Sequence, residues 1–174
     1  MRTTDPARVE DVHDPIGKLG WPKEKGRDGE RTPMQWDATP QAGFTTVEKP
    51  WLPIPPTSTK YNVESESKDP ASIYNAYKRL LSLRKTEPAL REGAQIGINN
   101  DDMDVFAFVR TTGDASVVVA LNMSGKTQKI SLNWKSVGVS GSKLVPLYSS
   151  PKFSTDAGNR VELSPFAALV AKIE

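Results

Sequence analysis

The sequence predicts a mainly β protein: an antiparallel β-sandwich preceded by a loop-rich segment and one long helix. Three observations carry that expectation. From about residue 93 onward, β-branched residues recur with period two. Just before them, Ile73, Tyr74, Tyr77, Leu80, Leu81 and Arg84 follow at spacings of three and four. Finally, most of the 14 prolines fall before residue 90, at positions 6, 15, 22, 33, 40, 50, 53, 55, 56, 70 and 88.

Proline at that density, with Gly17, Gly20, Gly26, Gly29 and Gly43 interspersed, forbids long helices and central strands between about residues 1 and 60. Disorder fits this segment poorly, because Trp21, Met34, Trp36, Phe44, Trp51, Leu52 and Ile54 are costly to leave in water. The expectation is a segment wrapped loosely over a surface that something else supplies. For the helix, Asp69 is the predicted N-cap and Pro70 the first helical residue, with Pro88 as the stop. The predicted strands are residues 94–98, 105–111, 117–122, 128–132, 143–148, 160–163 and 166–173, separated by Asn/Asp/Gly/Ser turns. Short strands at this spacing read as a sandwich.

Composition excludes much of the remaining chemistry. The net charge is +2, from 23 basic and 21 acidic residues spread along the chain, so no nucleic-acid partner is expected. No apolar run approaches membrane-spanning length, so no membrane partner is expected. Zero cysteines exclude thiolate chemistry, and the one histidine, His13, excludes a multi-histidine metal site. No cofactor and no metal are expected. The first residues lack the apolar stretch of a secretory leader, and the expected location is cytoplasmic.

The densest charged stretch is Gly26-Arg27-Asp28-Gly29-Glu30-Arg31-Thr32-Pro33-Met34-Gln35-Trp36-Asp37. Two guanidinium groups four residues apart, each beside an acid, suit the binding of hydroxyls or carboxylates, although composition alone favours a solvated charged loop. Further along come Ala42-Gly43-Phe44, Pro50-Trp51-Leu52-Pro53, Asn62-Val63, Asp69-Pro70-Ala71-Ser72, Tyr77 to Lys85, and Pro88-Ala89-Leu90 to Gly93. In this order the motifs resemble the α-glucosidase branch of glycoside hydrolase family 13, which includes oligo-1,6-glucosidases, maltases, trehalose synthases and sucrose isomerases.

The resemblance implies that residues 1–92 are the end of a catalytic (β/α)8 barrel and residues 93–174 the C-terminal β-domain of the α-amylase type. It implies an α-glucoside disaccharide or oligosaccharide as the substrate of the whole enzyme. It also implies substrate-binding roles for Arg27, Asp28 and Arg31. Arg27 would pair with an upstream aspartate and hydrogen-bond the far hydroxyls of the non-reducing glucose. Arg31 would lie behind the pocket, near the acceptor sugar, or in an ion pair that holds the loop.

No catalytic residue is expected within the chain. Val12-His13-Asp14 resembles the family's Asn-His-Asp motif only superficially, since it lies too close to Arg27 and lacks the asparagine. His13-Asp14-Pro15 reads instead as a variable surface loop. The resemblance implies that the catalytic acids lie upstream of Met1, so the chain is expected to be a C-terminal fragment that is inactive alone. Trp36, Phe44 and Trp51 are expected to pin the loop by packing. The alternative is a non-catalytic module binding carbohydrate or protein, with Trp134, Tyr148 and Phe153 as the available sugar platforms.

Overall fold

The computed structural model describes residues 5–150, 153–155 and 158–174. The chain forms two compact units, one ending at Lys78 and the other spanning Arg79–Glu174.

The first unit holds only short elements: α1 (Pro15–Gly20), α2 (Val63–Lys68), and single 3-10 turns at Val9–Asp11, Asp28–Glu30 and Pro56–Thr59. Among its described residues there is no strand, as the proline density predicts. Both apolar core clusters lie in the second unit. Polar contacts hold the first unit instead. Asn62 caps α2 reciprocally with Ser65, and its amide donates to the Ser58 carbonyl. The side-chain amide of Asn75 donates to the Glu66, Ser67 and Asp69 carbonyls, tying the end of α2 to the start of the next helix.

That long helix, α3, spans Ile73–Thr86, so it begins later than predicted. Asp69 instead closes α2 and accepts the Ala71 N–H. Ser72 is the cap of α3, accepting from the Asn75 N–H. Pro88 does stop α3, but it also opens a further short helix, α4 (Pro88–Glu92). The apolar stripe of α3 remains bare within this chain: Ile73 is 71% exposed, Tyr77 66% and Leu81 63%.

The second unit is an all-antiparallel sandwich. Its strands are β1 (Ala94–Ile98), β2 (Val105–Thr111), β3 (Ser116–Asn122), β4 (Gln128–Ser131), β5 (Leu144–Ser150), β6 (Phe153–Thr155), β7 (Arg160–Leu163) and β8 (Ala168–Ile173). One sheet runs β1-β2-β3-β8-β5, the other β4-β7-β6. Alternation puts Val105, Ala107 and Val109 of β2 on the inner face, with Val118, Ala120, Leu169 and Ala171 from neighbouring strands. They meet Val161 and Leu163 of the smaller sheet, and Leu132 and Trp134 join the same core. The opposite face of the large sheet carries Val117, Val119 and Val170, which pack with Leu83, Ala89 and Leu90 of α3 and α4. β3 is therefore covered on both faces, which is why residues 117–120 are buried without alternation.

Candidate functional site

The Arg27–Arg31 stretch lies on a loop built around two carboxylates. Asp14 is the N-cap of α1, its Oδ1 accepting the Ile16 N–H at 2.9 Å, and Pro15 takes the first helical position. Its other oxygen, Oδ2, accepts the backbone N–H of Arg27 at 3.0 Å. Asp28 returns the contact: its Oδ2 accepts the N–H groups of His13 at 2.6 Å and Asp14 at 3.0 Å. Both acids are buried, Asp14 to 8% exposure and Asp28 to 3%. Residues 13–14 and 27–28 thus form a clasp in which each segment supplies one carboxylate and donates its backbone N–H to the other's.

Gly26 makes that approach possible. Its φ is +71°, and a Cβ there would lie 2.8 Å from the Asp14 Cβ. A second turn follows the signature. Ala42, fully buried at φ 51°, turns its carbonyl onto the N–H groups of Trp36 and Asp37. A Cβ on Gly43 would sit 2.6 Å from an Asp37 carboxylate oxygen. Ala42-Gly43-Phe44 is therefore a turn that anchors the loop through its backbone.

Asp28 anchors this loop through one carboxylate oxygen, Oδ2, which accepts two backbone N–H groups. Arg27 and Arg31 point their side chains outward and are exposed. Among the described residues neither guanidinium makes an ion pair or a side-chain hydrogen bond. Both stand close enough to act on Asp14. The Arg27 N–H, then the Ile16 N–H, hold the Asp14 carboxyl below the usual carboxylate range against the opposing effect of burial, and the charges of Arg31 and Arg27 add to this.

A pH dependence of definite sign results. A carboxyl depressed in the folded state contributes stability that is fully present above its unfolded value and lost as pH falls through the folded value. In an acid titration followed by NMR, the Arg27 and Ile16 amides should shift with a midpoint below that of an unfolded aspartate. A midpoint at or above it would contradict the clasp.

The sequence reading of His13-Asp14-Pro15 as a variable surface loop needs correction. His13 is exposed and its ring lies 5.1 Å from that of Trp51, but Asp14 is a buried tie point. The available signal was the Asp-Pro pair before Ile16, an N-cap pattern. His13, Asp28 and Trp51 border a cleft of about 720 Å³, to which Glu10, Asp11 and Glu48 add an acidic rim. Among the described residues Trp36 and Phe44 are 50% exposed and Trp51 is 69% exposed, so the expected packing of these rings is at most partial.

The aromatic platforms fare differently. Trp134 is 1% exposed and its Nε1 donates to the Gly141 carbonyl, so it is a core residue. Tyr148 is half-buried against the large sheet, with the Arg79 guanidinium 5.9 Å from its ring centre. The Phe153 side chain lies outside the described residues. Among the described residues, no helix is long and apolar enough to cross a membrane, and no cluster of three or more His, Cys, Asp or Glu is placed to hold a metal.

Comparison with known proteins matches two family models to successive stretches of the chain. Residues 3–93 match the family model "Alpha amylase, catalytic domain", and residues 97–170 match "Maltogenic Amylase, C-terminal domain". A "Probable alpha-glucosidase" of Rhizobium meliloti is 35% identical over 94% of this chain and 28% of its own length. The oligo-1,6-glucosidase of Parageobacillus thermoglucosidasius is 41% identical over 59% of this chain and 18% of its own. Trehalulose synthase MutB from Pseudomonas mesoacidophila superposes with a TM-score of 0.77 at 29% identity, over 99% of this chain and 34% of that one. A MutB variant solved with the substrate sucrose gives a TM-score of 0.76 at 29% identity, with the same coverage. The chain spans between about a fifth and a third of the length of these proteins.

Proposed function

The chain belongs to the α-amylase family, glycoside hydrolase family 13, and from that premise we propose that it works as the C-terminal part of a cytoplasmic α-glucosidase-type hydrolase acting on short α-glucosides. In this reading residues 1–92 complete the catalytic barrel and residues 93–174 are its C-terminal β-domain. The observation that carries the reading is Arg27: an exposed guanidinium without a partner among the described residues, on a backbone fixed by buried carboxylates. A fixed fork of donors suits the vicinal hydroxyls of a terminal glucose.

The reaction would retain configuration through a glycosyl-enzyme intermediate. It needs a nucleophile and an acid/base whose carboxyl groups stand about 5–5.5 Å apart. Asp14 and Asp28 serve instead as ties of the loop, both oxygens of Asp14 and Oδ2 of Asp28 accepting backbone N–H groups. Arg27 would grip the glucose, Asp28 would anchor the loop that carries it, and Arg31 would hold the neighbouring part of the pocket. The names of the relatives and the sugars in the solved neighbours support this substrate class.

The whole enzyme is expected to hydrolyse p-nitrophenyl α-glucoside with α-glucose as the first product, while the 174-residue chain alone gives no turnover. β-Glucose appearing first would contradict the mechanism. Turnover by the isolated chain that Arg27→Ala abolishes would contradict the division of labour.

A further inference from the structure

We propose that Asp14 is a positioning residue for Arg27, holding the arginine's backbone so that its guanidinium meets the sugar in one place; this rests on the reading of Arg27 as a sugar-binding arm. Asp14 engages two donors with two different oxygens: Oδ1 takes the Ile16 N–H at 2.9 Å and Oδ2 the Arg27 N–H at 3.0 Å. One carboxylate thereby links the start of α1 to the residue whose side chain does the binding. The Asp28 carboxylate closes the loop from the other side by accepting the N–H of Asp14 itself.

Only an ionised aspartate meets this demand. An asparagine has a single acceptor oxygen, so its NH2 group would face either the Ile16 or the Arg27 N–H, donor against donor. A glutamate is one methylene too long for a pocket in which Gly26 already approaches with no room for a Cβ. The geometry also separates Asp14 from the chemistry: it touches backbone and neither guanidinium makes an ion pair with it. Its effect on catalysis runs through where Arg27 sits. Small displacements of a binding group are costly, since about 1 Å can lower a rate on the order of a hundredfold.

The test is a double-mutant cycle in the whole enzyme, with kcat and KM measured for p-nitrophenyl α-glucoside and melting temperature recorded for every variant. Asp14→Asn is expected to lower kcat/KM by about tenfold to a hundredfold in the wild-type background. In the Arg27→Ala background the same substitution should change kcat/KM by less than about twofold, because the group it positions is gone. Equal losses in both backgrounds would overturn the proposal, showing that Asp14 only maintains the loop. No loss in the wild-type background would overturn it equally. Should Asp14→Asn fail to fold, Gly26→Ala carries the same cycle, since its Cβ pushes Asp14 off the Arg27 N–H. Arg27→Ala at the wild-type rate would instead remove the sugar-binding reading, and the role of Asp14 with it.

Discussion

Trp134→Ala should strongly destabilise the sandwich. The side chain is 1% exposed and shares one core with Leu132, Val139, Leu163, Leu169 and Ile173. Truncating a buried aromatic removes its transfer energy and leaves a cavity that the neighbours fill only partly, at about 3–5 kcal/mol. The bond from Nε1 to the Gly141 carbonyl is lost as well. A small domain has only about 5–15 kcal/mol in total, so a large share of its margin disappears. Urea denaturation followed by near-UV circular dichroism should show a large drop in midpoint for Trp134→Ala and a much smaller one for Trp134→Phe. A midpoint unchanged by Trp134→Ala, or wild-type Trp134 fluorescence that responds to millimolar maltose, would mean that the ring is accessible after all.

The same burial explains how far the sequence could be read. Strands β1, β2 and β7 fall on the predicted residues because each is covered on one face, and alternation records that. β6 was missed because three residues carry no period. The last strand starts two residues later than predicted, since Phe166 sits at a positive φ of 56° and is 70% exposed. Asp69-Pro70 misled for a different reason. The pair has cap chemistry, but Asp69 applies it to a turn, and Ser72 three residues on receives the helix. α2 and α4 are too short for periodicity to reveal.

At the site, the motif singled out Arg27, Asp28 and Arg31 as a group but could not distinguish an arm from an anchor. That distinction is tertiary: it depends on Asp14 and Asp28 each reaching a backbone 13 to 15 residues away. No spacing rule records such a contact. The N-cap pattern at Asp14-Pro15 was legible, whereas the second oxygen of that carboxylate was not.

Arg27→Ala separates the two kinds of contribution most sharply. The guanidinium is exposed and unpaired among the described residues, so its loss should alter stability by no more than about 0.5 kcal/mol. In the whole enzyme the same group would hold the hydroxyls of the glucose in place, and losing a group that positions a substrate lowers a rate on the order of a hundredfold. A large loss of activity with no loss of stability is the signature of a binding arm. A loss of both would mark a strut of the loop.

The most direct measurement is therefore kcat/KM for p-nitrophenyl α-glucoside in the whole enzyme carrying Arg27→Ala, with the melting temperature taken on the same sample. The account predicts a fall of about a hundredfold at an unchanged melting temperature. Activity within about twofold of wild type, with the protein folded, would contradict it.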